Sequence, residues 1–159
     1  MEPAVSGHDL VVAVGSSLWS GNRAQIGLEP LSGRSNAVSL VVPSSGYEDV
    51  VRLVSGGFAA RLPLGLDAID DMQLAIEAVA RSIPLDGGQL RVSLTSDPEW
   101  ITVAVGTFES GAVERHLPGA VQDGLGLSTL LDRLVESVEV VDAPASTIVM
   151  RKRLEEAPA

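Results

Sequence analysis

The residues whose chemistry is easiest to name are Gly124 and Gly126, which flank one leucine and run into Leu127, Leu130, Leu131, Leu134 and Val135 at the spacing of one helical face. A glycine turn that feeds a helix N-terminus lets the backbone come close to a ligand. The free N–H groups of the first turn, with the positive end of the helix dipole, suit an anion such as a phosphate. Gly124, Gly126 and Leu127 are therefore the candidate cofactor-binding residues. Tight packing alone also produces this spacing, so the turn needs support from elsewhere. Other chemistry is sparse. His8 has no cysteine or second histidine near it and is given no metal or catalytic role. Arg115 and His116, just before the turn, could touch a phosphate, although a solvated loop is the simpler explanation. No residue is assigned to catalysis or to a metal.

Composition narrows the function classes. The chain has 159 residues, enough for one domain with a full hydrophobic core. It has 11 basic and 21 acidic residues, a formal charge of −10, which argues against nucleic acid or an anionic membrane and favours a partner with basic patches. Cysteine is absent, which removes disulfides and thiolate metal sites. No apolar run approaches the roughly 20 residues that span a bilayer. The start, MEPAVSGHDL, lacks the basic opening of a secretory signal, so a cytoplasmic location is expected.

Periodicity places the elements around the turn. Residues 1–36 are the least legible: a short strand at 10–14, then a stretch rich in Gly, Ser and Asn whose Trp19, Ile26 and Leu28 could dock it on the domain. A β-type run at 38–42 ends at Pro43, and Ser45 with Glu48 reads as a capping box for a helix carrying Val50, Val51, Val54 and Phe58. A second helix, capped by Asp67 and stopped by Pro84, carries Ile69, Met72, Ile76, Val79 and Ile83 at steps of three and four. Strands at 90–94 and 100–105 are joined by Ser96, Asp97 and Pro98. An irregular segment, the glycine turn and its helix follow, then strands at 138–141 and 147–151. This order predicts an α/β two-layer sandwich over residues 37–154, a mixed sheet with helices on one face, followed by a tail at 155–159. It is not a Rossmann order, because the glycine turn comes late.

The run DAIDDMQLAIEAV from Asp67 to Val79, the GLGL turn from Gly124 to Leu127 with its continuation LLDRLVESVEV, and the terminal TIVMRKRL carry a family resemblance. In their order and separation, residues 38–154 resemble the anti-sigma factors of the RsbW serine-protein-kinase type, within the GHKL superfamily of histidine-kinase-like ATPases. The resemblance implies a Bergerat-type sandwich and a dimer. It also implies ATP with Mg²⁺ between the second helix, an acidic turn and the glycine turn, and a sigma factor or an anti-anti-sigma protein as partner.

The departures from the family pattern decide the expected function. Typical members present a Glu and, four residues later, an Asn on one helical face, a general base and a magnesium ligand. With the apolar stripe in register those positions fall on Ala78 and Ser82. Glu77 matches only if the register slides by one residue. That slide turns the acid by roughly 100° and puts Arg81 where a metal ligand should be. After the strand at 101–105 the sequence is Gly106, Thr107, Phe108, Glu109, Ser110, Gly111, with no Asp to accept the adenine amino hydrogen. The expected function is that of an anti-sigma-factor-like regulator that binds protein, with a degenerate ATP site, no kinase activity and no cofactor. The alternative is an active ATP- and Mg²⁺-dependent serine-protein kinase that phosphorylates an anti-anti-sigma factor. A third reading is an α/β domain whose glycine turn is purely structural.

Overall fold

The computed structural model describes residues 10–14, 24–30, 36–118, 126–142 and 146–156. Strict alternation of apolar and polar residues builds the centre of its sheet. Leu90, Val92 and Leu94 of β4 (Gln89–Ser96) and Ile101, Val103 and Val105 of β5 (Trp100–Phe108) are buried on one face. Val38, Leu40 and Val42 of β3 (Asn36–Pro43) and Ile148 and Met150 of β7 (Ser146–Arg153) extend that face. The register sets Leu40 beside Val92, Val92 beside Val105, and Val105 beside Ile148. With β1 (Leu10–Val14), β2 (Ala24–Pro30) and β6 (Ser137–Val141), these strands form one seven-stranded sheet in the order β1-β2-β3-β4-β5-β7-β6.

Every neighbouring pair is antiparallel, which corrects the expectation of a mixed sheet. The reason is the number of helices in the connection. Two helices, α1 (Glu48–Ala59) and α2 (Leu66–Ser82), carry the chain out and back between β3 and β4, so Pro43 ends opposite the start of β4 at Gln89. A single crossover helix would have made that pair parallel. β6 does run in the direction of β5, but β7 lies between them.

The helical stripes fall as their periodicity requires. In α1, Val51, Phe58 and Ala59 are buried with Ser55, and Val50 and Val54 are half-buried. α2 buries Met72, Ala75, Ile76 and Val79, and α4 (Leu127–Leu134) buries Leu127, Leu131 and Leu134. All join one core with the apolar face of the sheet, so the described helices cover a single face. The other face carries half-buried Ser39, Ser93, Thr95, Thr102 and Ala104, and Trp100 with the Arg151 guanidinium 4.8 Å from its ring centre. No helix among the described residues is long and apolar enough to cross a membrane.

Element starts differ in detail from the sequence reading. Ser45 does not cap α1: Gly46 adopts φ +76°, a left-handed turn that cannot enter the helix, and Tyr47 is the residue before the first turn. Asp67 lies inside the first turn of α2, after Gly65 and Leu66, where its charge still complements the dipole. β2 pairs with β3, so part of the 1–36 segment is strand in this sheet. At the other end, the Leu154 N–H donates to the Glu99 carbonyl (2.8 Å) and the Glu155 N–H to the Pro63 carbonyl (2.9 Å), so the chain beyond β7 straps two loops.

Asp97 closes the β4–β5 turn: its Oδ1 accepts the N–H groups of Glu99 and Trp100, both at 2.8 Å. Asp97→Ala is expected to cost about 1 kcal/mol, read as a lower urea midpoint at unchanged slope.

Candidate functional site

α2 carries the positions on which chemistry would depend. Met72, Ile76 and Val79 are buried against the sheet, which fixes the phase. Ala78 is 9 % exposed and belongs to the core. Glu77 is also buried, and its carboxylate is committed: Arg52 of α1 pairs with Oε1, and Arg81 Nη2 stands 3.9 Å from Oε2. The Arg52 carbonyl in turn accepts the Gln73 amide at 2.9 Å. Glu77 therefore works as a tie between α1 and α2, and the pair holds the Arg52 guanidinium above its usual pKa, first through this hydrogen bond. Twenty-five residues separate the partners, so no local spacing signals the pair.

The tie makes an asymmetric prediction. Removing Arg52 strands a buried carboxylate, whereas removing Glu77 leaves an arginine that water can solvate. Arg52→Ala is expected to lower stability more than Glu77→Ala. Equal losses for the two variants in urea titrations at pH 7 would contradict this.

Of the three candidate cofactor residues, the structure describes two, and both are taken up by the start of α4 and the core. Gly124 lies outside the described residues. Gly126 precedes α4 in extended conformation, φ −67° and ψ 147°, and its carbonyl accepts the Leu130 N–H at 3.0 Å. Leu127 is fully buried and anchors α4 in the core. The next first-turn donor, Ser128 N–H, already donates to the Leu117 carbonyl at 3.0 Å, so an anion there would have to displace a protein hydrogen bond.

The segment after β5 is closed in the same way. Phe108 is 2 % exposed, and a short helix not foreseen from the sequence, α3 (Ala112–His116), buries Ala112 and Val113 completely. Thr107, Phe108 and Gly111 do border a cavity of about 510 Å³, but among the described residues Asp86, Glu114 and Asp142 line it too and no basic residue does. That wall opposes a polyanion. Arg115 is exposed. His116 is half-buried and meets Ser82 and Arg81 at a second cavity, which Ala78 does not border.

Among the described residues, no group of three or more His, Asp or Glu side chains is arranged to hold a metal ion. Where the resemblance implies a carboxylate and an amide for magnesium ATP, a buried methyl group and a serine stand instead. The residues present do not fit that complex. No protein-family profile matches the chain, and no curated protein matches it.

Proposed function

We propose that this protein is a regulator of the anti-sigma-factor kind that acts by holding another protein, and that its nucleotide site is degenerate. The element order from β3 to β7, with helices on one face of the sheet, supports a two-layer α/β sandwich, while its strands pair antiparallel throughout where the resemblance implies a mixed sheet. The observation that carries the functional reading is that Ala78, Phe108 and Leu127, from the three segments that would enclose ATP, belong to one continuous buried core. Phosphoryl transfer depends on positioning and on electrostatic stabilisation by a metal and a base. A core of methyl, phenyl and isobutyl groups supplies neither. The kinase reading would need a carboxylate free to face α4, and Glu77 is held by α1.

The partner in this reading is a sigma factor or an anti-anti-sigma protein, met in the cytoplasm, and the protein itself is a homodimer, as the resemblance implies. A surplus of ten acidic charges favours a partner surface rich in Lys and Arg. Affinity capture with the purified full chain against purified sigma factors and anti-anti-sigma proteins, with and without MgATP, tests this. A stable complex that forms equally well without nucleotide is expected. Failure to hold any of them, or transfer of the γ-phosphoryl group to a partner serine, would count against it.

A further inference from the structure

We infer that the cavity between the start of α1, the C-terminal end of α2 and α3 is a binding site for a phosphate group. The inference is independent of the regulatory reading. It begins with Tyr47, which is 5 % exposed and whose hydroxyl has no well-formed hydrogen bond, the one buried side-chain polar atom in that state among the described residues. The Arg81 guanidinium lies close enough to act on it, without making a well-formed bond, and a buried hydroxyl so poorly partnered is costly and calls for an explanation such as a ligand or an ion.

Tyr47 lines a cavity of about 310 Å³ together with Ser44, Arg81, Ser82 and His116. The lining therefore holds a guanidinium, an imidazole and three hydroxyls. No carboxylate lines it, in a chain with 21 acidic residues. Arg81 has donors to spare beyond its contact with the Tyr47 hydroxyl: it stands 3.9 Å from Glu77, which is already taken by Arg52. Burial raises the Tyr47 phenol above its ordinary value near 10, so at neutral pH the group stays protonated and able to donate. The opposing charges are Glu48 and Glu77, whose fields reach Tyr47, and the negative end of the α2 dipole, beside which Arg81 stands in the last turn. A phosphate, with its several acceptor oxygens, matches donors arriving from three elements. A two-oxygen carboxylate would leave some of them idle. The volume leaves room for the substituent of a small phosphate monoester. Of the positions on which the resemblance would place nucleotide chemistry, Ser82 and, in the shifted register, Arg81 border this cavity, with His116 from the segment before the glycine turn.

Calorimetry and thermal-shift titrations of the full chain with inorganic phosphate and with glycerol 3-phosphate, against chloride at equal ionic strength, test the site. Saturable binding and protection by at least one ligand are expected, and which of the two binds tells free phosphate from a monoester. Arg81→Ala should weaken binding by about tenfold, the loss of one charge-assisted contact. Tyr47→Phe should weaken it severalfold while the ligand-free melting temperature holds or rises, because the orphan hydroxyl is gone. Absence of saturable binding by both ligands at millimolar concentration would overturn the inference. Binding that both variants leave unchanged would do the same.

Discussion

Replacing Leu131 with alanine is expected to remove about 2–5 kcal/mol of unfolding free energy, the cost of deleting a fully buried leucine and leaving a cavity. α4 is only eight residues long, and a helix of that length does not hold itself together in water. It depends on Leu127, Leu131 and Leu134, which bury it against the core beside α2. Against a typical total of roughly 5–15 kcal/mol, the loss should be plain in a urea titration. Leu53→Ala is the control: Leu53 is 77 % exposed on α1, and its removal should change stability by less than about 0.5 kcal/mol. Similar midpoints for the two variants would mean that α4 is not docked as described.

The second large effect is expected at Ala78. Introducing the missing carboxylate with Ala78→Glu should destabilise the fold by about 3–5 kcal/mol, because an uncompensated charge would enter a packed core. The variant should gain no nucleotide binding, since Phe108 and Leu127, from the segments that the resemblance places around ATP, belong to the buried core. Ser82→Asn, whose side chain would point into an open cavity, should be close to neutral. A stable Ala78→Glu protein that binds ATP only with Mg²⁺ would show that the space is open.

Those expectations separate what the sequence carries locally from what only the fold supplies. Steps of three and four at Met72, Ile76 and Val79 fixed the phase of α2, and the resemblance, held to that phase, put Ala78 and Ser82 at the positions where it implies Glu and Asn. Alternation at 90–94 and 100–105 located the two central strands, because one buried face imposes a period of two. The sheet's antiparallel nature was missed because β5 and β6 do run in the same direction, and no local signal shows that β7 inserts between them. β2 escaped notice because Gly27 and Pro30 interrupt a weak apolar pattern in AQIGLEP, and strand pairing with β3 overrides that weakness. α3 is five residues between Gly111 and Pro118, too short for a period to register. Glu77 became legible only through Arg52, and Tyr47 only through the cavity that it lines. Both are contacts between elements, and neither has a motif.

Calorimetric titration of the purified protein with ATP, in the presence and absence of Mg²⁺, addresses the proposed degeneracy of the nucleotide site most directly. Heats no larger than dilution are expected up to millimolar ATP, with or without the metal, or at most weak binding of the phosphate kind that Arg81→Ala reduces and Mg²⁺ does not enhance. Micromolar binding that requires Mg²⁺ and survives Arg81→Ala would contradict it.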